Sequence, residues 1–312
     1  MIRLALIGAG RWGKNILRTL KEIGSAEVTV LNKGDARTPD APRLRGIGGV
    51  LIATPGSTHA RIARPFLLRG ISTFIEKPLA TTLRDARLLA RAAKRSGAVA
   101  MVGHVHLYNP AYLKAKELAL RGGPIRFLFS EGMNNGPYRD DLSALWDWAP
   151  HDIALALDLL GTTPSMVQAW GLKTLRPKSS LHDVAFLRLR FPHGEELFSA
   201  VSWLAPEKRK RLTIVGKRDS VVFDDTATKK VTVYHGLGPT VRRGRVTRHE
   251  PSISHPAYGD APPLRRELEA FLHGIRTHRQ PLPDLTHGVA TVRILDAAER
   301  SIARGGRWVR LE

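Results

Sequence analysis

Three places in the chain combine residue types and spacings that can support chemistry. The first is Gly8-Ala9-Gly10-Arg11-Trp12-Gly13, a complete G-x-G-x-x-G string between the apolar run Leu4–Ile7 and the helical pattern of Ile16, Leu17 and Leu20. In that setting Gly8 permits a tight turn, Gly10 admits a pyrophosphate close to the backbone, and Gly13 lets the helix approach the strand. The first N–H groups of the helix then face the phosphates. This predicts a dinucleotide site, with Arg11 and Trp12 inside its loop; Trp12 either covers the cofactor or fills the space between loop and helix. The second place is Glu76-Lys77-Pro78, directly after an apolar run at 72–75. Lys77 falls at the carboxyl edge, where parallel sheets place ligands, and Pro78 restricts its backbone. Without further context, a lysine next to proline is usually only a surface charge. The third is Asp147-Trp148-Ala149-Pro150-His151-Asp152. A helical turn there puts Asp147 and His151 on one face, within reach of one ligand. Oxidising an alcohol removes a hydride from carbon and a proton from oxygen, and imidazole has an ordinary pKa suited to neutral proton transfer. A histidine behind proline also suits the start of a helix, which Asp152 can cap.

Weaker candidates surround these. Thr54-Pro55 ends an apolar run where a loop would pass a cofactor diphosphate, and His59 begins the helix after it. Asn32 stands about twenty residues beyond the glycines, where an acid would bind ribose hydroxyls. Asparagine can still bond a ribose, while Lys33 or Arg37 can meet a 2′-phosphate or be exposed loop charges, so NAD and NADP both stay open. Asn109, before Pro110, contacts a carboxamide, orients Lys77 or makes a common Asn-Pro turn. Tyr138, Arg139 and Trp146 can line a sugar pocket, with Arg139 suited to a diphosphate. The twelve histidines show no zinc spacing, and no metal is expected.

The elements that must position these residues follow from periodicity. Strands are expected at 2–7, 27–31, 49–53, 72–75 and 98–102, with helices at 11–23, 58–69 and 82–96. That alternation predicts a parallel sheet covered on both faces. From Lys33 to Gly48, glycines and prolines leave no room for a full helix-plus-strand unit, so the sheet should be shortened at that edge. After Gly122-Gly123, strand-like segments at 125–131, 165–172, 183–191, 195–204, 211–216, 220–224 and 230–234 predict a largely antiparallel open sheet. Helices are expected at 110–121 and 150–160, a long loop at 236–263, and two closing helices. One closing helix carries the stripe Leu264, Leu268, Phe271, Leu272 and Ile275. The fold class is therefore α/β, with a Rossmann parallel sheet over 1–120 and a C-terminal α+β domain over 121–312.

A length of 312 residues at 43% hydrophobic content suits two domains. No apolar stretch approaches twenty residues and no leader precedes the first strand, which predicts a soluble cytoplasmic protein without membrane attachment. Zero cysteine excludes disulfides, thiolate metal sites and a cysteine nucleophile. The net charge of +21 is spread, +13 over 1–120 and +8 over 121–312. Its local runs, Lys208–Arg211 and Arg242 to Arg248, lack interleaved aromatic residues, so a solvated surface that attracts anions is expected rather than a specific nucleic-acid site.

The glycine string, Thr54-Pro55 with His59, Glu76-Lys77-Pro78 and the Asp147 to Asp152 stretch occur in an order and spacing that resemble the glucose-fructose oxidoreductase, inositol dehydrogenase and MocA (Gfo/Idh/MocA) family over essentially the whole chain. Gly103-His104 through Pro110, and Ser202-Trp203 through Gly216, add to the likeness. Leu145 to Asp152 is similar to the branch acting on sugar nucleotides, such as UDP-N-acetylglucosamine 3-dehydrogenases. The resemblance implies NAD(P)-dependent hydride exchange with a secondary hydroxyl of a sugar or sugar nucleotide. It implies that Lys77 lies beside nicotinamide and substrate, that His151 is the general base and that Asp147 binds a substrate hydroxyl. Glu76 and Lys77 then join the cofactor-binding set. It further implies that the open sheet helps form the substrate cleft; a homo-oligomer, dimer or tetramer, is expected because open sheets pair. The competing expectation is a catalytically silent dinucleotide-binding sensor of the same fold.

Overall fold

The computed structural model describes residues 1–31, 44–236, 240–242, 244–247 and 250–311. They form two compact units: 1–108 with 261–296, and 109–260 with 297–312. The division therefore departs from a single cut at 120/121. It does so because the Leu264 to Ile275 stripe is buried in the first unit's core, returning that stretch of chain to it.

In the first unit a five-stranded parallel sheet has the order β2-β1-β3-β4-β5. Its strands are β1 (Ile2–Ile7), β2 (Ala26–Leu31), β3 (Gly49–Ile52), β4 (Ser72–Glu76) and β5 (Ala100–Gly103). The edge at β2 agrees with the shortened sheet expected there, although the intervening 32–43, with Asn32, Lys33 and Arg37, lies outside the described residues. Helix α1 (Arg11–Ile23) buries Gly13, Ile16, Thr19 and Leu20, a spacing of three and four that makes one face, and stops at Gly24 in the left-handed conformation. Helices α2 (His59–Leu68) and α3 (Leu83–Ser96) follow; Thr82 caps α3 by accepting from the Asp85 N–H. The core gathers Leu4, Leu6, Leu51, Phe74 and Met101 from the strands, Ile16 and Leu20 from α1, and Leu268, Phe271 and Leu272 from α6 (Pro263–Thr277). Phe74 and Phe271 meet edge to face at 5.7 Å. Helix α7 (Leu285–Ala303) contributes its residues up to Asp296 to this unit.

The second unit holds a nine-stranded sheet, ordered β15-β12-β11-β10-β6-β9-β8-β7-β16, antiparallel except for the parallel pair β6–β9. Its strands are β6 (Ile125–Asn135), β7 (Met166–Leu172), β8 (Val184–Arg190), β9 (Glu196–Ser202), β10 (Leu204–Gly216), β11 (Ser220–Asp224), β12 (Val231–His235), β15 (Ser252–Ser254) and β16 (Val309–Arg310). The stretch read as a long loop at 236–263 contains β15, paired with β12, and the separate hairpin β13 (Thr240–Arg242) and β14 (Arg245–Thr247). Such short strands carry too few alternating residues to stand out from turn-rich surroundings. Helix α4 (Pro110–Arg121) packs on β11 and β12, and α5 (Ala144–Leu160) on β6, β8 and β9. Among the described residues no helix is long and apolar enough to cross a membrane.

Asp152 shows what α5 buries. It lies inside the unit and accepts a 2.7 Å hydrogen bond from Ser199 Oγ of β9. Burial raises its pKa to about 6, against the opposing hydrogen bonds of Ser199 and Ser130 and the charge of Lys210. A folded pKa above the unfolded one means stability is fully present below the unfolded value and is lost as pH rises through 6. Asp152→Asn keeps an acceptor for Ser199 and removes the charge. Its melting temperature should exceed the wild type's by several degrees at pH 8 and match it at pH 4; equal melting at both pH values would refute a buried charge.

Candidate functional site

The first unit brings together the ends of three adjacent strands. After β1, Gly8 adopts φ +99° and packs so closely on β3 that an added Cβ would lie 2.6 Å from the Ala53 carbonyl oxygen and 2.9 Å from Thr54 Cγ2. An added Cβ at Gly13 would stand 1.9 Å from the Gly8 carbonyl oxygen. Both glycines are thus demanded by the protein's own packing. Gly10 differs. It is the N-cap of α1, with φ −68° and ψ −168°, a conformation open to any residue, and nothing lies within 4 Å of where its Cβ would be. The chain itself has no use for a glycine there. Space beside the first N–H groups of α1 is what an approaching pyrophosphate requires.

Thr54 and Pro55 end β3 beside this loop, and Thr58 Oγ1 donates to Thr54 Oγ1 at 2.7 Å. His59 does not face a ligand. It is 1% exposed, with Nδ1 2.8 Å from the Pro78 carbonyl and Nε2 2.8 Å from the Thr54 carbonyl, so it braces the Thr54 loop against the turn after Lys77. Arg11 is exposed and Trp12 is 40% exposed. The Trp12 indole N–H donates to Glu76 Oε1, and the Lys77 backbone N–H donates to Glu76 Oε2 at 3.2 Å. Glu76, expected among the cofactor ligands, is instead buried and ties the glycine loop to the end of β4. Burial raises its pKa to about 7, while the Trp12 bond and the Lys77 charge pull the other way. Lys77 is half-buried at the carboxyl end of β4.

In the second unit, α5 starts at Ala144, six residues before the expected 150, and continues through Pro150. Proline removes one donor and was read as a boundary; the buried face of Leu145, Ala149, Ile153 and Ala156 outweighs that loss. As a result Asp147 and His151 do lie one turn apart on one helix. Asp147 is 7% exposed and accepts from Trp203 Nε1 at 3.3 Å. The guanidinium of Arg139 is 3.7 Å from Asp147 and makes two 3.0 Å hydrogen bonds to Asp141. With two carboxylates in attendance, Arg139 suits holding Asp147 better than binding a diphosphate. Trp146 is buried, its N–H committed to Glu299 at 3.0 Å, and Tyr138 is half-exposed with its hydroxyl donating to Asn135.

Asn109 is used by the fold. Its Oδ1 caps α4 by accepting from the Ala111 N–H and its Nδ2 donates to Asp225, both at 3.0 Å, which leaves the carboxamide role without support. Trp203 as donor to Asp147, and the closeness of Arg139, were missed because both contacts cross sheet or loop boundaries and have no local pattern. The Ser202-Trp203 dipeptide was the one available signal.

Comparison with known proteins bears on both units. The family model described as "Oxidoreductase family, NAD-binding Rossmann fold" matches residues 37–104, and "Oxidoreductase family, C-terminal alpha/beta domain" matches 141–311. The chain is 30% identical over 258 residues to UDP-N-acetylglucosamine 3-dehydrogenase of Acidithiobacillus ferrooxidans, covering 82% of this chain and 78% of that protein. It is 23% identical to inositol 2-dehydrogenase of Rhizobium meliloti, over 97% of each. A solved structure of the UDP-N-acetylglucosamine 3-dehydrogenase from A. ferrooxidans shares the fold, with a TM-score of 0.83 at 22% identity over 97% of this chain and 98% of that one.

Proposed function

The chain belongs to the Gfo/Idh/MocA family of NAD-binding oxidoreductases, and we propose that it transfers a hydride between NAD or NADP and a secondary hydroxyl of a sugar or sugar nucleotide. The observation that carries the cofactor half of this reading is the unclaimed space at Gly10, where neither backbone nor packing calls for glycine. Gly8, Gly10, Gly13 and the start of α1 would hold the diphosphate, with Arg11, Trp12, Thr54 and Pro55 around it. The nicotinamide group supplies the hydride chemistry when bound.

The chain's own residues bind, orient and move the proton. Lys77 presents an ammonium at the carboxyl edge of the sheet, able to hold the substrate oxygen and share its proton. His151 serves as the general base, and Asp147, steadied by Arg139 and Trp203, accepts from a substrate hydroxyl. The sugar-nucleotide class is supported by the 30% identical relative.

Assembly belongs to the same reading. The face of the large sheet away from α5 leaves Phe129, Trp170, Leu172 and Phe186 between 44% and 53% exposed, with Phe129 in register with Phe198 and Arg188, and Trp170 in register with Phe186. An apolar sheet face of this kind marks an association surface. We infer a homo-oligomer, dimer or tetramer, paired through it. Native mass spectrometry of the freshly purified protein tests both points. The expected spectrum shows a multiple of the 34.4 kDa chain that releases a nicotinamide dinucleotide on denaturation. A monomer would sink the assembly. A protein that neither retains nor binds dinucleotide would sink the function, and binding without turnover across a sugar-nucleotide screen would favour a sensor.

A further inference from the structure

We propose that Arg176, anchored by Asp183, is a positioning residue for Asp147: it grips the chain segment that carries Arg139 and thereby sets how Asp147 meets a substrate hydroxyl. The inference rests on the reading of Asp147 as a substrate ligand and deepens it. Its origin is the connection between β7 and β8. These strands pair antiparallel as far as Leu172 and Val184, and the chain between them, Lys173 to Asp183, is longer than a hairpin requires. Asp183, 2% exposed, closes that connection. Its N–H donates to the Leu172 carbonyl and its carbonyl accepts from the Trp203 N–H, both at 2.9 Å. Its Oδ2 accepts from the N–H groups of Thr174 and Leu175, both at 2.7 Å. Two amides on one carboxylate oxygen are charge-assisted bonds, and they fix the start of the loop. Arg176 is the next residue.

Arg176 reaches across to the irregular stretch 136–143, which joins β6 to α5. That stretch is tied at one end by the Gly136 N–H, which donates to the Trp203 carbonyl, and just past the other by the Ala144 N–H, which donates to the His182 carbonyl, both at 2.8 Å. Between these ties Arg139 makes its two bonds to Asp141. Those bonds fix the guanidinium within its own segment, but not the segment against the sheet. Arg176 supplies the missing link: Nη1 donates to Asp140 Oδ1 at 2.5 Å and Nη2 donates to the Arg139 carbonyl at 3.2 Å. A guanidinium makes both bonds from one rigid fork, which an ammonium on a flexible stem does not. The contacts converge on Asp147 from two directions. Arg139 stands 3.7 Å from Oδ1, and Trp203, whose backbone is bonded to Asp183, donates to Oδ2 at 3.3 Å. Asp140 is 91% exposed, so its pair with Arg176 adds little to stability. Positioning and folding are therefore separable here.

Arg176→Met should raise KM for a sugar nucleotide about tenfold, the weight of one hydrogen bond to a charged group. Its kcat and NADH Kd should stay within about twofold of wild type, the mark of lost ground-state binding. Arg176→Lys keeps the charge but not the fork and should share most of the loss. Because Arg176 acts through Arg139, the double variant with Arg139→Met should be no worse than Arg139→Met alone. Losses that multiply, or a wild-type KM in Arg176→Met, overturn the proposal. Hydrogen–deuterium exchange of the full chain gives a readout that needs no turnover: the amides of 136–143 should exchange faster in Arg176→Met than in wild type. Unchanged exchange there overturns the clamp whatever the substrate. Faster exchange in a protein that turns over no sugar nucleotide refutes the substrate reading and supports the clamp. Should Arg176→Met not fold, Arg176→Lys carries both measurements.

Discussion

Lys77→Met is expected to lower kcat by about 10² to 10⁴ while the dinucleotide Kd stays within about twofold, the scale of a positioned proton-transfer group. The substitution is specific because of how the site is held together. The bond from position 77 to Glu76 is made by the backbone N–H, so it survives the change, as do the Trp12 bond and the His59 brace on the Pro78 carbonyl. Only the ammonium is lost. Steady-state kinetics on a sugar nucleotide, paired with NADH fluorescence titration, separate the two quantities. A fall in kcat and kcat/KM together marks an interaction made in the transition state. A variant that turns over at the wild-type rate would remove Lys77 from the mechanism, and one that loses NADH affinity instead would make it a cofactor ligand only. His151→Asn should show the same separation, since it lies on α5 and contributes nothing to the glycine loop.

Gly10→Ala and Gly13→Ala should part company. At Gly10 the new methyl enters open space from a backbone conformation alanine adopts freely, so the melting temperature should not move. It then stands where the pyrophosphate must approach, and overpacking of that order costs about 10- to 100-fold in dinucleotide affinity. At Gly13 the methyl would lie 1.9 Å from the Gly8 carbonyl oxygen, a distance no contact sustains. Strand β1 and helix α1 must move apart, lowering both the melting temperature and affinity, the latter by more than about 100-fold. Thermal melts and NADH titrations of the two variants give the result. Wild-type affinity in Gly10→Ala would show that the space at Gly10 holds no phosphate, and an unchanged melt in Gly13→Ala would contradict the packing of the loop.

The same glycines show what the sequence carries by itself. Residues 4 to 20 encode a strand, a turn and a helix face in consecutive residues, and each signal is local: a continuous apolar run, absent Cβ atoms, apolar residues three and four apart. The fold class, the parallel sheet of β1 to β5, most strand positions in the second unit and the one-turn spacing of Asp147 and His151 were legible for that reason. What escaped depended on partners distant in the chain. Pro150 reads as a helix boundary until the buried face of α5 is known to outweigh one lost donor, and β15 becomes a strand only because β12 offers it an edge. His59 and Asn109 have the types of ligands, yet backbone carbonyls and an N-cap engage them first. The stripe on α6 foretold a buried helix but not which core would receive it. Tertiary packing alone set Trp203 and Arg139 beside Asp147, and Trp12 against Glu76. Charge and proton placement depend on which groups share a low-dielectric neighbourhood, and residues 64 positions apart, as Trp12 and Glu76 are, become neighbours only when the chain has closed.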